Sequence, residues 1–239
     1  MLLAIDTSTS LVGAACIDSG AVISEVVETD ARRHGELLAP TIVRALAEAG
    51  ARRSDLASIA IGVGPGPFTG LRVGITTGLV MGAALGIPVV GVCSVDALAF
   101  QVHESLRASA DAGRGDRRGV AAEGDSTPEF LVATDARRKE IYWARYARGC
   151  VDTLVRVGGP GVARPADLPA HLRALPAYGR GTELYPQLLR ARPGHADVRP
   201  GALGQCAGDQ SWVLAPEPLY LRRPDAVASL PVASTPPPP

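Results

Sequence analysis

The stretch Ile59–Val92 reads IAIGVGPGPFTGLRVGITTGLVMGAALGIPVVGV. It opens on an apolar run, Ile59–Val63, of the length of a buried strand, and closes on another, Val89–Val92. Between them lie a loop stiffened by two prolines, Gly64–Thr69, and a helical segment with glycine at 70, 74, 78, 82 and 86. Strand, loop, helix, strand is one unit of a sheet covered by helices. Each glycine inside a helix costs about 1 kcal/mol relative to alanine. Three or four together remove roughly 3–4 kcal/mol from the ~5–15 kcal/mol that holds a domain folded. Residues four apart form a ridge, and a bare ridge lets a neighbour approach the backbone closely. Each step of four turns by about 40°, so the stripe can serve two neighbours. One expected neighbour is the helix Leu37–Ala49; the other is a helix of a second subunit. Packing within the chain and packing across a subunit boundary both stay open on this ground.

Working outward, Leu2–Ile5 is a short apolar strand with Asp6 at its exit, and Val12–Asp18 and Ala21–Val27 form a hairpin over Ser19-Gly20. A helical stripe follows, with Leu38, Ile42, Ala45, Leu46 and Ala49 on one face, closed by Gly50 and started or kinked at Pro40. Thr69 reads as the N-cap of the glycine helix. Ser94 reads as that of a third helix, with Asp96 in its first turn. Three strands followed by alternating helices and strands is the order of the ribonuclease-H-like core of actin-like ATPases and sugar kinases. The expected organisation is an N-terminal subdomain over 1–106, a mobile insertion over 107–128, a C-terminal subdomain over 129–230 and a disordered tail over 231–239. The second subdomain reads as strands at Glu129–Thr134, IYWARYA and Asp152–Val157, with helical pieces near Ala166–Ala174 and Glu183–Arg190.

The chain has 239 residues, 46% hydrophobic and 4% aromatic, so its core is built mainly from Ala, Val, Leu and Ile. Lysine and arginine number 24 and aspartate and glutamate 24, which leaves no net pull toward nucleic acid or membrane. Lys139 is the only lysine, and the paired arginines are scattered over the expected surface. Four cysteines lie far apart without a C-x-x-C, as expected of free thiols in a reducing cytoplasm. Val73–Val92 carries no charge and has the length of a membrane span, but Pro88 and the strand-like IPVVGV argue against one.

Phosphate and metal chemistry have few carriers. Asp6-Thr7-Ser8-Thr9-Ser10 stands where an actin-like ATPase cradles phosphates, without the usual glycine; a vestigial phosphate loop and a self-satisfied polar turn are both open. The matching loop, Asp135-Ala136-Arg137-Arg138-Lys139, is bulky where a glycine pair would admit phosphates. GVGPGPFTG lacks both the Walker form and the third glycine of G-x-G-x-x-G, and reads as a rigid strand-to-helix turn. No H-x-x-x-H or G-x-S-x-G occurs, so catalytic residues, metal ligands and a cofactor are expected to be absent, with Asp6, Thr7, Ser8 and Asp135 as the vestigial candidates.

IDTST, ARRHGELLAP, GVGPGPFTGLRVGITTGLVMGAALGIPVVGVCSVDALA, TDARRKEIYWARY and EPLYLRRPDA together resemble the TsaB (YeaZ) family over most of the chain. The resemblance implies an actin-like, two-subdomain fold and a non-catalytic cytoplasmic subunit of the machinery that makes threonylcarbamoyladenosine in tRNA. It implies a heterodimer with the catalytic paralogue TsaD, docking of the ATPase TsaE on that pair, self-association through the same helices, and contact with tRNA only through the complex. The dimerisation helices map onto His34–Ala49 and Gly70–Leu85. The implied interface residues are His34, Leu38, Thr41, Ile42, Ala45, Gly70, Val73, Gly74, Thr77, Gly78 and Met81. On this reading the glycine ridge serves helix packing across the subunit boundary. The competing expectations are an active actin-like ATPase or sugar kinase using Asp6 and Asp135, and a metallopeptidase, against which the missing histidine pair argues.

Overall fold

The computed structural model describes residues 1–30, 33–114, 129–149 and 153–222. β1 (Leu2–Asp6), β2 (Leu11–Asp18) and β3 (Ala21–Thr29) form an antiparallel meander, and α1 (His34–Glu48) follows. β4 (Ser58–Gly62), α2 (Phe68–Leu85) and β5 (Val89–Val92) continue the sheet in parallel, and α3 (Ser94–Arg114) crosses to the second lobe. There β6 (Glu129–Asp135), β7 (Ile141–Arg148) and β8 (Leu154–Ala163) form another antiparallel meander. The chain then runs through α4 (Ala170–Arg173), β9 (Pro176–Tyr178), α5 (Arg180–Leu184) and β10 (Arg190–Ala191). It closes with α6 (Pro200–Cys206) and β11 (Val213–Leu214). The sheets have strand orders β11-β5-β4-β1-β2-β3 and β10-β9-β6-β7-β8. Two mixed sheets flanked by helices make this the actin-like ATPase fold.

The strand register follows burial. Leu3, Ile5, Cys16 and Ile59 point to the face covered by α1 and α2, while Ala4, Ala15 and Ala60 point to the face covered by α3 and α6. Small residues on the second face let those two helices sit close to the sheet, and Gly204 of α6 rests directly on Ile17. The order of elements expected from sequence up to α3 is present. Three boundaries differ from expectation. Residues 107–114 are the last two turns of α3, whereas 115–128 and the tail 223–239 lie outside the described residues. The C-terminal lobe does not keep all of 129–230: α6 packs on β1 and β2 and β11 pairs with β5, so these two elements belong to the first lobe. Helix was expected over Glu183–Arg190, but it ends at Leu184, and Arg190–Ala191 pairs with β9 instead.

α2 is the one described helix long and apolar enough to cross a membrane. Here its glycine face lies on the sheet, and Val89–Val92, the end of the charge-free run, is a strand paired with β4. The ridge accounts for four of the five glycines. A Cβ at Gly70 would stand 2.9 Å from the Thr7 carbonyl oxygen. At Gly74 it would strike Thr7 Oγ1, at Gly78 the Ile61 Cγ2, and at Gly82 the Val89 Cγ2. Gly86 ends the helix in the left-handed conformation, φ 67°.

One turn carries strain. Between β6 and β7, Arg137, Arg138 and Lys139 all take left-handed backbone, φ 62°, 53° and 63°. Each such residue with a side chain costs roughly 1–2 kcal/mol, and hairpin turns of this hand ordinarily use Asn and Gly.

Candidate functional site

The first candidate is the cleft between the lobes, where β1 delivers Asp6. Asp6, Thr7 and Ser8 are all buried. The Ser8 amide and hydroxyl donate to Asp6 Oδ1 at 2.9 and 2.8 Å, and the Ser94 hydroxyl donates to Oδ2 at 2.9 Å. Ser94 in turn accepts the Gly64 amide at 3.2 Å, so it ties α3 to β1 rather than capping its own helix. Thr7 Oγ1 donates to the Gly70 carbonyl at 2.7 Å and accepts the Gly74 amide at 3.1 Å. The polar loop is therefore self-satisfied, the plainer of the two sequence readings. Burial raises the Asp6 carboxyl above its ordinary range, and the Ser8 and Ser94 hydrogen bonds only partly oppose this.

The glycine-rich loop is used up in covering Asp6. A Cβ on Gly62 would overlap Asp6 Oδ2, and one on Gly66 would stand 2.5 Å from the Ser8 carbonyl oxygen. The helix it introduces starts at Phe68 behind Pro67, with no side-chain cap, so Thr69 is not the N-cap. Across the cleft, Asp135 Oδ1 accepts the Arg137 amide at 2.7 Å. Arg180 forms an ion pair with Asp197, which also accepts the Ser10 hydroxyl at 3.1 Å. About 30 Å³ of cavity remains between Ser8, Ser10, Asp135, Arg137 and Arg180. That volume holds one or two waters, against the ~300 Å³ or more of small-ligand pockets. Among the described residues no group of three His, Cys, Asp or Glu side chains could hold a metal ion. Cys16, Cys93 and Cys206 are buried and free, and burial pushes the Cys93 thiol up to about 12. Cys150 lies outside the described residues.

Asp6→Asn tests whether this carboxylate is chemical or structural. The variant should change the unfolding free energy by no more than about 1 kcal/mol at pH 7, because losing one Ser94 bond is offset by removing a buried charge. The sign with pH follows from the raised folded-state pKa. The protonated carboxyl favours the fold, so wild type gains on the variant as pH falls from 7 toward 4. Denaturant titrations at the two pH values measure both effects.

The second candidate is the outer face of α1 and α2. Of the residues implied for it, His34, Leu38, Thr41, Ile42, Ala45, Gly70, Gly74 and Gly78 are buried in this chain's own core. His34 Nε2 lies 3.1 Å from the Thr9 carbonyl oxygen, and Thr41 Oγ1 donates to Leu37 O at 2.8 Å. Only Val73, Thr77 and Met81 reach the surface in part. The correction has one cause: the bare ridge seats α2 on β4 and the Thr7 loop, which turns the opposite face outward. That face is unusually apolar, with Phe68 39%, Leu79 40% and Val80 62% exposed, and Val43 65% exposed on α1. The signal was available in α2 itself, whose only charge is Arg72. Its guanidinium lies 3.8 Å over the Phe68 ring and donates to Tyr220 Oη at 2.9 Å. Sequence reading also missed the join between the lobes, where Tyr146 and Arg156 both bind Asp96.

Fold and site together define a protein of the actin-like class in which, among the described residues, about 30 Å³ remains between the two polar loops and the helical flank is exposed. The family model for tRNA N6-adenosine threonylcarbamoyltransferase (TsaD) matches residues 21–173. YeaZ from Pseudomonas aeruginosa superposes with TM-score 0.71 and 27% identity, covering 92% of this chain and 99% of that one. The tRNA threonylcarbamoyladenosine biosynthesis protein TsaB of Escherichia coli is 33% identical over 149 residues, 62% of this chain and 55% of that protein. An uncharacterised Mycobacterium leprae protein is 38% identical over 242 residues, 95% of this chain and 56% of that protein. The chain thus spans little more than half the length of these two relatives. It belongs to the TsaB (YeaZ) family.

Proposed function

We propose that this chain is a non-catalytic partner subunit in the synthesis of threonylcarbamoyladenosine in tRNA, acting in the cytoplasm. It joins a threonylcarbamoyltransferase of the TsaD type through the outer face of α1 and α2. The observation that carries the reading is the exposure of Val43, Leu79 and Val80 on adjacent helices, opposite a glycine ridge that holds one of them rigidly on the sheet. A partner presenting two helices of the same fold would close a four-helix contact over these side chains. The same face serves self-association when the partner is missing, since an isologous contact needs only a second copy. The ATPase TsaE docks on the assembled pair. Family membership and the names of the relatives support the pathway; the filled cleft supports placing the chemistry in the partner rather than in an ATPase centre at Asp6 and Asp135.

Val80→Asp tests this directly. Val80 lies outside the core, so the variant should fold within about 0.5 kcal/mol of wild type. Burying its unpaired carboxylate against a partner should cost about 3 kcal/mol or more, roughly a 100-fold loss of affinity. Titration calorimetry against the TsaD protein of the same organism measures it, with denaturation of the isolated chain as control. Unchanged affinity would remove this face from the interface.

A further inference from the structure

A larger cavity lies on the face of the first sheet that α3 and α6 cover. It is a groove of about 620 Å³, open to solvent and within the ~300–1,000 Å³ range of small-ligand pockets. Leu11 of β2, Val22 of β3 and Ala202 of α6 supply its apolar wall. α1 and α2 lie on the opposite face of that sheet, so nothing proposed above uses this groove.

The hydrogen bonds around the groove fix what its polar side chains still offer. The Arg199 amide can only donate, and it donates to Gln101 Oε1 at 3.1 Å, so the Gln101 amide nitrogen is the atom that lies 2.9 Å from His195 Nδ1. His195 Nδ1 therefore accepts, and the ring proton sits on Nε2. Burial lowers the His195 pKa, which keeps the ring neutral at pH 7. Both lining carboxylates are engaged: Glu25 accepts the Arg199 guanidinium and the Gly201 amide, and Asp197 accepts Arg180 and the Ser10 hydroxyl. The Gln205 amide nitrogen donates to the Gly20 carbonyl at 3.1 Å, which leaves its Oε1 unspent. Among the described residues the groove thus keeps two unspent donors, His195 Nε2–H and Arg199 Nη1, and one unspent acceptor, Gln205 Oε1. Glu25 offsets Arg199 and Asp197 offsets Arg180, so a dianion finds no net attraction here. Donors, an acceptor and an aliphatic wall without net charge suit a small molecule that is itself neutral overall and carries both signs.

We propose that this groove binds a small aliphatic zwitterion, a free α-amino acid. Its carboxylate meets Arg199 Nη1 and His195 Nε2–H, its ammonium meets Gln205 Oε1, and its side chain lies on Leu11, Val22 and Ala202. The inference does not rest on the function proposed above, and either can fail without the other.

The test is calorimetric titration of the full chain with L-valine, for which a Kd of roughly 0.1–1 mM is expected from a ligand of about eight heavy atoms. Two probes keep the valine skeleton: 3-methylbutanoate lacks the ammonium and isobutylamine lacks the carboxylate. Each should bind at least about 10-fold more weakly than valine. His195→Gly removes the Nε2 donor and suits the left-handed backbone of this position, φ 56°. It should fold as wild type does and bind valine about 10-fold more weakly. Gln205→Met should weaken valine by a similar factor and leave the binding of 3-methylbutanoate unchanged. Amide NMR shifts locate the ligand without any variant, and on titration with valine the largest changes should fall at Gln101, Ala196, Gly201 and Gln205. No binding of valine, or largest shifts elsewhere in the chain, would overturn the proposal. Equal binding of valine and 3-methylbutanoate would make the groove a plain carboxylate site, and tighter binding of inorganic phosphate an anion site; either result also overturns it.

Discussion

Gly78→Leu is expected to leave no folded, soluble protein under conditions where wild type is stable. The first carbon of the new side chain would overlap Ile61 Cγ2, and three further carbons would follow into a site closed by Ile59 and Ile61 of β4. Neither wall can retreat, because both residues are completely buried and β4 is held by β1 and β5 on either side. Inserting single methylenes into a packed core already costs about 1–3 kcal/mol. Here a whole isobutyl group must be placed, against a total stability of ~5–15 kcal/mol. Removing a helical glycine returns only about 1 kcal/mol. Gly78→Ala should therefore be a net loss of about 1–2 kcal/mol, measurable by denaturant titration. Ala84→Leu, on the exposed side of the same helix, should unfold as wild type does. If Gly78→Leu gave a well-folded chain that merely failed to bind a partner, the ridge would be an interface after all.

The second large effect is expected at the join between the lobes. Asp96, in the first turn of α3, is 3% exposed and accepts the Tyr146 hydroxyl at 2.6 Å and Arg156 at 2.7 and 2.9 Å. Both partners lie on strands of the other lobe. Burial raises the Asp96 carboxyl even with these partners in place. Arg156→Met would strand a buried carboxylate with only the Tyr146 hydroxyl and the Cys93 thiol beside it, costing about 3 kcal/mol at pH 7. For a chain of this size that is a fall in Tm of roughly 6–12 °C. The sign with pH is fixed by the direction of the shift. A carboxyl with a raised folded-state pKa stabilises the fold below its unfolded value and loses that contribution as pH rises through the folded value. The deficit of Arg156→Met should therefore shrink as pH is lowered from 7 toward 4. Adding Asp96→Asn removes the stranded charge and should restore most of the lost stability at pH 7. Calorimetric melts of the two single variants and the double variant across that range measure the coupling. A pH-independent deficit would mean that Arg156 acts through packing alone.

Much of the first lobe was legible because its elements are locally coded. Apolar runs and the turn pair Ser19-Gly20 marked β1 to β3, and a helical stripe closed by Gly50 marked α1. α6 was not legible: PGALGQC has no stripe or cap of its own, and its burial comes from α3 and the sheet laid down far earlier in the chain. The polar loop at Asp6 left two readings open in the sequence, because only Ser8 serves the carboxylate from nearby, while Ser94, Gly70, Gly74 and Asp197 reach the loop from distant parts of the chain. The glycine ridge was recognised as a packing device with a neighbour inside the chain or in a second subunit; in the structure it meets β4, β5, the Thr7 loop and, at Gly70, His34 of α1. Spacing reveals that a ridge is bare, while only the tertiary structure reveals whether it meets Ile61 or another chain. Asp96 was taken as complementing a helix dipole because Arg156, its main counter-charge, is sixty residues away.

The seating of α2 on bare backbone separates two evolutionary problems that most interface helices must solve at once. Every position that docks this helix to its sheet is locked by atoms with nowhere to go, and every position that could choose an associate lies on the reverse side. Substitutions there cost the fold little, so under the function proposed above the choice of associate can be rewritten residue by residue while the scaffold underneath stands unaltered.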